Sequence, residues 1–160
     1  MLGSTSGTGL LIDTNILVLY VIGLVNRSRI ETFKRTRQYT VADFELLKSV
    51  LEKWKSLHTI AHVLAEVNNL TDLTGPERQL ARYTLKEIIS SLTEAKISSA
   101  KAAENPVYQD LGLVDAAIAT IAREHRCTVL TDDLDLYLML ERQQIEVLNF
   151  THPRARSFGL

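Results

Sequence analysis

Apolar residues in this chain recur in two rhythms: short continuous runs, and longer stretches with helical spacing. The run LLI at 10–12 ends on Asp13, the pattern of a buried strand whose last residue emerges at a sheet edge. A helix through 16–25 follows. From Val41 the apolar positions Phe44, Leu47, Val50, Leu51, Trp54 and Leu57 keep helical spacing, and Thr40 with Asp43 resembles a weak capping box, so a helix is expected to start there. An extended piece at 57–60 leads into a helix over 61–70, and Gly75-Pro76 marks a turn and a third long helix reaching about Ser91. Between 93 and 110 the pattern predicts a short strand near 95–98, a short helix and a break at Asn105-Pro106. The stretch 113–125 carries a helical stripe of Val114, Ala117, Ile118, Ile121 and Ala122, while CTVL and IEVLNF are short β-rich runs.

Such alternation predicts a three-layer α/β/α sandwich around a mostly parallel sheet. With no repeat or linker to divide it, the expected domain covers 10–152, with a helical insertion at about 26–57, a flexible leader at 1–9 and a flexible tail at 153–160. A length of 160 residues with 46% hydrophobic content suffices for one core. The 18 basic and 19 acidic residues give a net charge of −1, which removes any global field for nucleic acid or an anionic membrane; contacts with either must be local. The single cysteine, Cys127, has no partner for an internal disulfide and fits a reducing cytosol. The most apolar stretch, 10–25, is interrupted by Asp13 and Asn15 and falls short of the ~20 apolar residues a membrane helix requires. A soluble cytoplasmic protein without a membrane partner or export signal is expected.

Asp13 and Asp133 each follow a strand-like run, so a parallel sheet would bring both to its carboxyl edge, where ligands of open α/β sheets bind. Asp115 opens a helix at the shoulder of its buried stripe, and Glu66 lies beside the expected buried face of Val63, Val67 and Leu70. Four carboxylates at one edge repel one another and raise each other's pKa unless cations neutralise them. An oxygen-only set suits one or two Mg²⁺ or Mn²⁺ ions, and a pair of such ions about 4 Å apart can activate water against a phosphodiester. Each acid also has an ordinary reading as a helix cap or a complement to a helix dipole.

The segments LLIDTNIL, HVLAEVNNL, LGLVDAAIATIA and VLTDD occur in the order and approximate spacing of the PIN-domain nucleases, which the chain resembles from about 10 to 150. The resemblance puts Asp13, Glu66, Asp115 and Asp133 on the family's four acidic positions. It also puts Thr131 on the small hydroxyl or amide residue before the last acid, and Asn15 on the polar residue that commonly follows the first. It implies Mg²⁺- or Mn²⁺-dependent cleavage of RNA, and for many small bacterial members a toxin role, an antitoxin partner and a homodimer. The insertion at 26–57 is longer than in the commonest small toxins. Asp132 and Asp135 flank Asp133. Asp133 is the expected site acid, and Asp135 either supports it from behind or serves as an exposed helix-start aspartate.

Other residues carry weaker signals. Arg27, Arg29, Lys34, Arg35 and Arg37, with Arg78, Arg82 and Lys86, would hold RNA phosphates or simply form a solvated face. His62 stands four residues before Glu66, a spacing that suits a shared metal but equally a histidine packed on the helix flank or bonded to Glu66. Two rivals to the ribonuclease stay open. One is a non-catalytic module of the same fold that binds RNA or protein through the insertion, against which the four acids argue. The other is a phosphoaspartate protein, although DTN lacks the second aspartate of the phosphatase motif.

Overall fold

The computed structural model describes residues 9–151; the leader expected at 1–9, except Gly9, and the tail expected at 153–160 lie outside the described residues. Five strands form one parallel sheet: β1 (Leu10–Ile12), β2 (Leu57–Ile60), β3 (Thr93–Ala95), β4 (Thr128–Thr131) and β5 (Val147–Asn149). Their order across the sheet is β3-β2-β1-β4-β5, with Leu10 opposite both Leu57 and Thr128. Parallel neighbours need long crossovers, and helices supply them, covering the sheet on both faces in the expected α/β/α arrangement. β1 is central and wholly buried.

The helices are α1 (Thr14–Val25), α2 (Val41–Glu52), α3 (Ala61–Leu70), α4 (Pro76–Ser91), α5 (Ser99–Ala102), α6 (Val107–Leu111), α7 (Leu113–His125) and α8 (Leu134–Arg142). The capping box forms as expected at the start of α2: the Asp43 amide donates to Thr40 Oγ1 at 3.1 Å, and the Thr40 amide donates to Asp43 Oδ2 at 2.8 Å. Among the described residues no helix is long and apolar enough to cross a membrane.

Several local expectations shift. α2 stops at Glu52 rather than carrying its stripe to Leu57, because the chain must leave the helix to enter β2, so Trp54 lies half-buried in the connection. The third strand occupies Thr93–Ala95 instead of 95–98, since the Ser98 hydroxyl accepts from the Lys101 amide and caps α5. On α3, Leu64 replaces Leu70 in the buried set, and on α7 Ala116 and Ala119 join it while Val114 is half-buried.

The basic segment after α1 is anchored rather than loose. Ile30, Thr36 and Tyr39 are buried within it, and Thr36 Oγ1 donates to the Ile30 carbonyl at 2.7 Å. α2 in turn lies close against α1, where a Cβ added at Gly23 would come within 2.2 Å of the Phe44 ring. Gly23→Ala is therefore expected to overpack this contact and cost about 1–3 kcal/mol, read as a lower urea midpoint at unchanged slope. An unchanged midpoint would contradict the tight α1–α2 seam.

Candidate carboxylate site

The register that pairs Ile12 with Leu130 brings the residues just beyond them, Asp13 and Thr131, side by side at the carboxyl edge. Thr131 Oγ1 donates to Asp13 Oδ2 at 2.6 Å, and the Thr14 amide donates to Asp13 Oδ1 at 2.7 Å, making Asp13 the N-cap of α1. Burial pushes the Asp13 carboxyl up to about 6, against the pull of the Thr131 and Thr14 bonds and with help from the charges of Asp132 and Asp133.

Two threonines tie Asp13 to its neighbours. Thr131 Oγ1 also accepts from the Asp133 amide at 3.0 Å, while Asp133 Oδ1 caps α8 by accepting from the Leu136 amide at 3.1 Å. Thr14, buried at the start of α1, donates through Oγ1 to Glu66 Oε1 at 2.7 Å, linking α1 to the exposed outer side of α3. Asp115 lies in the first turn of α7, which begins after Gly112 at φ 90°. Its carboxyl rises to about 7, first through burial and then through the charges of Asp13, Asp133 and Glu66. The structure thus brings Asp13, Asp133 and Glu66 within electrostatic reach of Asp115.

Among the described residues no three histidine, cysteine, aspartate or glutamate side chains converge tightly enough to hold one ion as they stand. The hydrogen bonds explain the spacing: Glu66 turns to Thr14, Asp133 to its helix amide, and Asp13 to Thr131. The chemistry nevertheless fits a divalent cation, because every charge acting on Asp115 is another carboxylate and every available donor is oxygen.

The flanking residues have other partners. Asn15 is exposed and directs Nδ2 at Asp132 Oδ1, 3.5 Å away, while Tyr39 donates its hydroxyl to Asp132 Oδ2. Asp135 is exposed in the first turn of α8. His62 Nε2 lies 3.0 Å from Ser99 Oγ, so its ring is engaged with the start of α5 on the helix flank. Arg82 bonds the side chain and carbonyl of Asn68. Sequence reasoning missed Thr14 and Tyr39. For Thr14 a signal existed, a hydroxyl directly after a strand-ending acid, whereas nothing local marked Tyr39.

A family model described as PIN domain matches residues 10–141. No curated protein matches the chain. The crystal structure of PAE2754 from Pyrobaculum aerophilum is similar in fold, with a TM-score of 0.50 and 17% identity over 88% of this chain and 97% of that one. A domain of a functionally unknown protein from Methanocaldococcus jannaschii DSM 2661 aligns with a TM-score of 0.43 and 15% identity over 87% of this chain and 88% of that one.

Raised carboxyl values make the metal-free fold pH-dependent. Between the ordinary value of 3.8 and about 6 for Asp13 or about 7 for Asp115, the folded state holds protons that the unfolded chain has released. Their contribution to stability is full below that ordinary value and is lost as pH rises through the folded values. Asp115→Asn, measured in chelator at neutral pH, is expected to melt above the wild type, and the gap should narrow toward about pH 5. A variant that melts at or below the wild type at neutral pH would contradict the like-charge account.

Proposed function

We propose that this chain, which belongs to the PIN-domain family, is a metal-dependent endoribonuclease whose Asp13, Glu66, Asp115 and Asp133 hold one or two Mg²⁺ or Mn²⁺ ions. The observation that carries the reading is the Asp115 carboxyl, raised to about 7 in part by the other three acids, an electrostatic demand that a bound cation relieves. When bound, such ions supply an activated water and neutralise charge developing on the phosphodiester oxygens.

The chain's own part is to hold the acids. Thr131 fixes one Asp13 oxygen and the Thr14 amide the other, so the first acid is oriented from within the sheet. Thr14 holds Glu66, and the α8 amide holds Asp133. Asn15 contributes at one remove, through Asp132, and Asp135 serves as a helix-start acid. A toxin role, an antitoxin partner, a homodimer and a cytoplasmic location come with the family resemblance. A neighbouring short reading frame encoding a DNA-binding antitoxin would support the toxin role and the antitoxin partner.

Purified protein is expected to cut mixed cellular RNA with Mn²⁺ or Mg²⁺, and both EDTA and Asp115→Asn should abolish the cutting. Intact RNA under all conditions would move the chain to a non-catalytic module of the same fold. A second, graded outcome concerns Thr131: removing its hydroxyl in Thr131→Val is expected to lower the metal-dependent rate about 10–100-fold. An unchanged rate would show that Asp13 needs no such support.

A further inference from the structure

The five basic residues of the insertion separate into two groups. Arg27, Arg29 and Lys34 pair with Glu45, Glu77 and Asp72, which fastens the segment to α2, to α4 and to the connection between α3 and α4. Arg35 and Arg37 are exposed and make no ion pair among the described residues. They flank Thr36, which is buried, and the Tyr39 amide donates to the Thr36 carbonyl at 2.8 Å, so both belong to a folded turn.

Tyr39 anchors that turn at the carboxyl edge of the sheet. Its buried ring meets Phe150 edge-on at 6.2 Å, and its hydroxyl bonds Asp132, the neighbour of Asp133. The Phe150 amide donates to the Thr131 carbonyl at 2.8 Å, so the Phe150 and Asp132 contacts of Tyr39 each lead to the end of β4. Arg37 lies two residues from this anchor, which limits their Cα separation to about 7 Å, and Arg35 lies two further. A polyanion approaching four carboxylates is repelled, and a net charge of −1 offers no general attraction, so cations at the rim must hold it. Exposed guanidinium groups suit phosphate by charge and by geometry.

We propose that the turn bearing Arg35 and Arg37 is a phosphate-holding wall of the acid site, gripping the backbone of single-stranded RNA beside the bond to be cut, with the Tyr39–Asp132 contact as its anchor. The inference rests on the nuclease reading above and adds the residues that hold its substrate. Arg27, Arg29 and Lys34 fix the wall in place, and Arg35 and Arg37 touch the strand.

The test measures binding of a fluorescein-labelled oligouridylate in Ca²⁺ over a range of salt, beside a cutting assay of the same strand by wild-type protein in Mn²⁺. Arg35→Gln/Arg37→Gln is compared with Lys55→Gln/Arg126→Gln, which removes the same charge next to the amino ends of β2 and β4. The wall variant is expected to bind more weakly, with a salt slope shallower by about 1.4, two contacts at about 0.7 each, while the control keeps the wild-type slope. Equal slopes for the two variants, or no binding by the wild type, would overturn the wall even if the enzyme cuts. A shallower slope in the wall variant with no cutting by the wild type would support the wall and retire the nuclease.

Discussion

The 2.6 Å hydrogen bond from Thr131 to Asp13 joins the carboxyl ends of two adjacent parallel strands around a buried acid. Its position follows from the sheet, because parallel strands all end on one edge, and the register opposing Ile12 and Leu130 leaves the next residues facing. Burial alone would drive Asp13 toward its neutral form, and the Thr131 hydroxyl with the Thr14 amide resists that drive. The same two threonines extend the connection outward: Thr131 reaches the Asp133 amide and Thr14 reaches the Glu66 carboxylate. Asp115 faces the group from the first turn of α7, where the charges of Asp13, Asp133 and Glu66 repel its carboxylate.

Collecting like charges has a cost unless counter-ions offset it, and the local structure limits that cost. Asp13 and Asp133 cap helices, and Asp115 sits in a first turn, so three of the acids meet the positive ends of helix dipoles. Burial first, and the remaining repulsion after it, raise the carboxyls of Asp13 and Asp115. An arrangement stabilised by hydrogen bonds yet burdened by repulsion is suited to taking up cations, because binding relieves a penalty that folding has already imposed.

The sheet and most helices were legible because each has its own period and punctuation. β2, α3 and α7 occupy the spans that apolar spacing and turn residues mark, and the alternation of strands and helices led directly to the parallel sheet. The stripe at 41–57 misled at its end, since helical spacing cannot register that the chain must turn back to form β2. Asp13 and Asp133 were legible as strand-ending residues, Asp115 as a helix-opening one and Glu66 by its place beside a buried helix face, whereas their threonine links were not: the pair Thr14–Glu66 spans 52 residues. Tyr39 was opaque for the same reason, its partner Asp132 being 93 residues away.

The insertion extends the same logic, with ion pairs and one buried tyrosine fixing a basic turn to the acidic edge. The central claim is that four carboxylates from separate segments form one cation site. Its most direct test is Mn²⁺ binding followed by electron paramagnetic resonance, in the wild type and in Asp13→Asn, Glu66→Gln, Asp115→Asn and Asp133→Asn. The account predicts saturable binding that every one of the four substitutions weakens. Absence of binding, or binding indifferent to these substitutions in a folded protein, would contradict it.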